Sequence, residues 1–202
     1  MTSIEEHPDR NIIRVQLRQN AILKGINAHQ SAELEPHLSI IECNKGDVLL
    51  DQGVYEMHQY FILDGILKRV VSNPEGHQMI LRFAAERDME TSYAAWRLGS
   101  RTPYSIVAVT KGRVAKLPMQ EWERFLDRHP EIKQSFEYLV MQLMSEIMAH
   151  TITLHLLDAP GRFRRFIRKE SALYDRIPKK ELASYLNIAA ETLSRMKQQG
   201  KI

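Results

Sequence analysis

The chain has 202 residues, 44% hydrophobic and 26% charged, enough apolar side chain for one or two real cores. One cysteine, Cys43, excludes an intrachain disulfide framework, a cysteine-built zinc site and an Fe–S cluster. The polar start MTSIEEHPDR reads as no secretory signal, and no run approaches the ~20 apolar residues of a membrane span, so a soluble, cytoplasmic protein without a membrane partner is expected. The formal net charge of +3 hides an asymmetry. Residues 1–159 carry 17 Lys+Arg against 21 Asp+Glu, whereas residues 160–202 carry 11 against 4. A basic end on an acidic body suggests a polyanion partner for that end.

Residues 11–38 read as helical patches with weak breaks at Gly25 and Pro36. Over residues 40–117 short β-rich runs recur between turn signals: DVLL, YFIL, ILKRVV, QMILRF, YSIVAVT and RVAKLP. That rhythm predicts an antiparallel barrel or jelly roll rather than βαβ units. NPEG, residues 73–76, is a hairpin turn, because Pro presets one turn position and Gly tolerates positive φ.

After Pro118 the period turns helical. A short helix is expected over residues 120–128 and a long one over 131–157. Phe136, Leu139, Leu143, Ile147 and Leu154 step along the long helix mostly by threes and fours, with Met141, Met144 and Met148 beside them. They mark a coiled-coil-like dimer seam; an amphipathic helix packed on its own domain has the same period. His150, close to that row, reads as a tolerated polar position. DAPG, residues 158–161, is strong punctuation and a domain boundary. The expected organisation is α+β: an antiparallel β-roll over residues 1–118, a helical linker with the dimerisation helix over 119–157, and a helix-turn-helix unit over 158–202.

The last unit carries the most specific pattern. Pro178 suits a helix start, where its missing N–H costs nothing. Asn187 tolerates the left-handed backbone of a tight turn. Small Ala183 lets two helices approach, and Ile188, Leu193 and Met196 fall inward. These offsets predict a helix-turn-helix; a plain helical hairpin is the alternative. In a DNA groove the second helix would present Glu191, Ser194 and Arg195. Arg suits guanine O6 and N7, Glu suits cytosine N4, and Ser is adaptable. Lys179, Lys180, Lys197, Arg162, Arg164 and Arg165 are the candidate phosphate contacts, which give affinity without sequence information. Glu191 and Arg195, four apart, also fit a surface ion pair.

Here the chain resembles the CRP/FNR superfamily of bacterial transcription regulators. KGDVLLDQG, YFILDGILKRVV and NPEGHQMILRF resemble its cyclic-nucleotide-binding-type β-roll, and IPKKELASYLNIAAETLSRM resembles its DNA-reading unit. The resemblance implies a homodimer on palindromic double-stranded DNA, half-sites one helical turn apart. It also implies RNA polymerase as a possible further partner and an effector of unknown identity acting through the roll. AETLSR has Ala190 where the cyclic-AMP receptor branch has Arg, and Glu191, Ser194 and Arg195 match the FNR branch, so TTGAT-like half-sites are expected. The family's phosphate cassette is altered in RDMETSYAAWRLGSRTPYSIVAVT. Glu90 and Arg101, with Thr102, fit two of its roles, but Met89 replaces a Gly and Pro103 an Ala. The expectation is a sensor that does not bind cyclic AMP in the usual way, with a cyclic-AMP-gated regulator using Glu90 and Arg101 as the alternative.

Relatives continue past the reading helix into a β-hairpin wing, of which Gly200–Ile202 would be the first residues; the wing is expected to be missing. Haem, the other cofactor the family allows, would draw on His77, Cys43, Met79 or His58. The rival class is a cupin-like metalloenzyme, which needs closely spaced strand histidines; His58 and His77 stand alone, and the expectation is no enzyme and no metal.

Overall fold

The computed structural model describes residues 2–199. A short strand β1 (Thr2–Ser3) precedes helices α1 (Arg10–Arg18) and α2 (Ala28–Leu34). Asn27 caps α2 by accepting from the Gln30 N–H, while Gln30 accepts from the Asn27 N–H, a reciprocal capping box. Eight strands follow: β2 (Ser39–Cys43), β3 (Val48–Leu50), β4 (His58–Asp64), β5 (Leu67–Ser72), β6 (Gln78–Ala84), β7 (Met89–Thr91), β8 (Ser105–Ala108) and β9 (Gly112–Pro118). One turn of helix, α3 (Tyr93–Arg97), interrupts them.

The strands form two antiparallel sheets, ordered β1-β2-β9-β4-β7 and β3-β8-β5-β6. Burial does not simply alternate along them: β2 buries Ile40 and Cys43, three apart and so on opposite faces, and β4 is buried at every position from Gln59 to Leu63. The NPEG segment turns β5 into β6, with the Gly76 N–H donating to the Asn73 carbonyl. Gly65 has φ +88, and a Cβ there would lie 2.7 Å from the Lys111 carbonyl, so only glycine fits that crossing of the sheets.

Helix α4 (Met119–Arg128) follows β9 directly and inserts Trp122, Phe125 and Leu126 into the core. The Trp122 ring meets Phe61 and Phe136 edge-on, at 5.5 and 5.2 Å between centroids. Helix α5 (Pro130–Leu156) starts with Pro at its first position and spans 27 residues. Leu157 is extended, and the Asp158 carboxylate caps the next helix by accepting from the Gly161 N–H at 2.8 Å. The DAPG punctuation is therefore a corner: it ends α5 and, within two residues, opens α6 (Ala159–Tyr174). Glu170 breaks α6 near its end, at φ −127 and ψ 35.

Helices α7 (Lys179–Tyr185) and α8 (Ala190–Gln198) close the described chain. Together with α6 they share one core with the roll: Phe166, Leu182, Leu186 and Leu193 cluster with Val70, Ile80 and Phe83. Two ion pairs reinforce that seam. Lys68 of β5 meets Glu181 of α7 at 2.7 Å, and Arg176 holds Glu86 through two bonds of 2.6 and 2.8 Å.

Candidate nucleic-acid interface and roll interior

The reading unit is built by a turn that few residues tolerate. Asn187 has φ +51, the left-handed region, and the Ile188 N–H donates back to the Ala183 carbonyl at 3.0 Å. Leu182 and Ala183 of α7 and Leu186 just past its end face Leu193 and Met196 of α8, all five buried. That packing leaves Glu191, Ser194 and Arg195 together on the exposed face of α8. Lys179 and Lys180 are exposed at the start of α7, and Arg164 is exposed on α6.

Two of the candidate phosphate contacts have other work in this structure. Arg162 Nη1 donates to the Leu186 and Asn187 carbonyls at 2.8 and 3.2 Å, tying the start of α6 to the turn between α7 and α8. Those two bonds hold Nη1 against the turn and leave Arg162 half-buried, not open on the surface as the expectation of a phosphate ligand requires. Lys197 lies over the Tyr174 ring, 4.5 Å from the centroid. Arg165 is exposed but borders a recess beside α5.

Inside the roll, Glu90 of β7 is fully buried and already partnered. Arg69 of β5, 2% exposed, reaches across from the opposite sheet and donates to Glu90 Oε2 from Nε at 2.9 Å and from Nη2 at 2.5 Å. Arg82 of β6 donates to Glu90 Oε1 at 2.9 Å and also pairs with Asp88. The Arg69 guanidinium lies 4.2 Å from the Tyr104 ring centroid and bonds the Thr91 carbonyl. One carboxylate thus receives two guanidinium groups, and the polar valence of this part of the interior is consumed by the chain itself.

Along α5, Phe136 is fully buried, and Leu139 and Leu143 pack on the same core. A different row faces outward: Tyr138, Met141, Met144, Met148, Ile152 and Leu156 are all exposed, Met141 at 63%. They recur by threes and fours along five turns of helix.

Residues 40–129 match the cyclic nucleotide-binding domain family. Over 190 residues the chain is 21% identical to the nitrogen fixation regulation protein FixK of Bradyrhizobium diazoefficiens, covering 89% of this chain and 78% of that one. A crp/fnr-family protein of Eubacterium rectale superposes with a TM-score of 0.71 at 15% identity, over 90% of this chain and 87% of that one. The c-di-GMP-responsive regulator CLP of Xanthomonas campestris gives 0.71 at 12%, over 86% and 92%. At such identities the structural likeness is one of fold.

The chain has the fold of the CRP/FNR regulators.

Within the cyclic nucleotide-binding domain the cassette residues are not assembled as the sequence suggested. Glu90 is closed in by Arg69 and Arg82, so it is no open acceptor for a ribose hydroxyl. Arg101 is at the surface, 5.2 Å from the Tyr55 ring centroid. Thr102 spends its hydroxyl on its own backbone, donating to the Asp51 carbonyl and accepting from the Val54 N–H. Sequence reasoning missed Arg69, whose only signal was a charged residue inside the apolar run ILKRVV.

The seam expectation also needs correcting. Phe136 belongs to the core, and the methionines noted as flanking residues head the unpartnered face. The haem candidates are separate: Cys43 is buried with its thiol pushed up by burial, His58 is half-buried on β4, and His77 and Met79 lie on the β5–β6 hairpin. Among the described residues no three His, Cys, Asp or Glu side chains gather as a metal site, and no helix is long and apolar enough to cross a membrane. The wing expectation rests on Gly200–Ile202, which lie outside the described residues.

Proposed function

We propose that this CRP/FNR-type transcription regulator reads palindromic DNA as a homodimer, with Glu191, Ser194 and Arg195 of α8 on the base edges. The observation that carries the reading is their exposure side by side on a helix whose opposite face, Leu193 and Met196, is locked in the core. Such a helix fits the major groove, and a bidentate Arg contact to guanine discriminates by ~1–3 kcal/mol. Lys179, Lys180 and Arg164 are placed to meet phosphates, and the two chains pair along the outward row of α5 headed by Met141, Met144 and Met148. The effector is not cyclic AMP held between Glu90 and Arg101, because the first is already neutralised and the second faces solvent.

Fluorescence anisotropy tests this with a duplex carrying two TTGAT-type half-sites and a scrambled duplex of the same length. The native chain should prefer the palindrome, and Arg195→Ala should remove ~1–3 kcal/mol of that preference while the scrambled duplex binds as before. Equal loss on both duplexes would make Arg195 a phosphate contact, and no preference in the native chain would refute base reading by α8.

A further inference from the structure

The roll, α5, α6 and α7 meet around a cleft. The cleft, of about 340 Å³, has Phe83 of β6, Ile147 of α5, Leu173 of α6 and Tyr185 of α7 among its walls. Beside it a recess of about 30 Å³ shares Glu146, Lys169, Glu170 and Tyr185 as lining and adds His150, Arg162 and Arg165. Clefts of this size at a junction between domains are the usual setting of small-molecule sites.

The recess holds two polar atoms that the fold leaves unanswered. His150 Nε2 and Arg162 Nε are both buried and neither has a hydrogen-bond partner. Buried polar atoms are nearly always bonded, so a pair at one place needs an occupant. Neither can turn away. The Arg162 head is fixed by the Leu186 and Asn187 carbonyls, and the His150 ring stacks on Tyr185 at 3.9 Å and 3°. Arg165 and Lys169 add positive charge beside them.

We propose that this junction binds a small organic acid, its carboxylate in the recess against Arg162 Nε and His150 Nε2, its apolar body in the cleft against Phe83, Leu173 and Tyr185. The anionic choice follows from what is uncommitted. In the wider cleft Arg82 pairs with Asp88 and Glu90, and Arg176 pairs with Glu86, whereas in the recess the Arg162 Nε–H is the unanswered donor of a permanent cation and His150 joins it with its proton on Nε2. Its size holds about two water-sized groups, which suits the two oxygens of a carboxylate better than the four of a phosphate. Two acidic groups face the recess as well. Glu146 is held by Lys169 at 3.1 Å, and burial keeps Glu170 protonated to higher pH than an ordinary glutamate, which limits repulsion. A ligand there touches roll, dimer helix and reading unit at once. Its consequence for DNA rests on the regulator reading above; its binding does not.

The probe is 3-phenylpropanoate, with 3-phenylpropylamine as the cationic isostere and acetate as the head group alone, added to the full chain without DNA. Histidine NMR and thermal unfolding are read together. The acid should stabilise the chain and shift the His150 resonances, with the amine inert and acetate far weaker. Arg165→Ala and His150→Gln should each weaken binding by about tenfold or more, about 1.4 kcal/mol. An unmoved His150, an equal response to the amine, or unchanged affinity in Arg165→Ala, a surface change that the fold tolerates, would overturn the site. Because no DNA is present, either result leaves the base-reading claim to its own experiment.

Discussion

Replacing Arg69 probes the closed interior of the roll. Arg69→Leu removes two bonds to Glu90, one to the Thr91 carbonyl and the cation over Tyr104, and leaves a fully buried carboxylate with Arg82 alone. Bonds to charged groups contribute about 1.5–3 kcal/mol each when counted singly. Arg82 remains, and the new leucine buries apolar surface, so the net cost falls to the ~3–5 kcal/mol typical of breaking one side of a buried pair. At roughly 2–4 °C per kcal/mol for a chain this size, the melting temperature should fall by about 6–20 °C. Urea unfolding followed by far-UV circular dichroism gives the free energy, and the double change Arg69→Met with Glu90→Met should recover much of it. A loss under about 1 kcal/mol would mean that water reaches Glu90, the behaviour of an exposed pair. The interior would then be open to a ligand, and the argument against cyclic AMP would fail.

Three further outcomes are expected. Met144→Glu with Met148→Glu places charge on the outward row of α5 and should shift sedimentation from dimer to monomer without loss of helix content; an unchanged dimer would place the interface elsewhere. Asn187→Val forces a β-branched residue to φ +51 and should cost ~1–2 kcal/mol, while Asn187→Gly stays within a few tenths, by the same urea titration. Equal effects would deny the left-handed turn. Burial holds His150 down to about 4, below the usual ~6.5, so the fold keeps the neutral form. The unfolded chain then binds more protons as pH falls from ~6.5 to ~4, and stability is lost across that window and not further below it. After discounting for partial exposure, the effect is ~1–2 kcal/mol. The native chain should lose that much more than His150→Gln between pH 7 and 4. The opposite shift of Glu170 is common to both proteins and cancels. Parallel curves would place His150 in water.

Most of the roll was legible because short β-rich runs stand between turn signals, and the runs from DVLL to RVAKLP all became strands. Strand β7 and helix α3 were not legible: three and five residues are too few for a period to show. The helix-turn-helix could be read because its constraints are local, a small residue, a left-handed turn and inward apolar positions within twenty residues. The interior of the roll could not. Arg69 and Glu90 lie 21 residues apart on opposite sheets, and only the folding of one sheet over the other brings them together. Helix α5 failed for another reason. It is apolar on two faces, and a 3.6-residue period cannot say which face meets the chain's own core. The row through Phe136 and Leu143 and the row through Met141 and Met148 have the same spacing, and packing alone separates them.

Selection of bound duplexes from a random pool, with the purified full chain, tests the central claim most directly, because it asks for base reading and dimer symmetry in one readout. The account predicts enrichment of a palindrome whose half-sites lie about one helical turn apart, ~34 Å along the duplex, with the palindrome's conserved guanine lost when Arg195→Ala is used instead. Recovery of duplexes without a common motif, or of single half-sites without a symmetric mate, would contradict it.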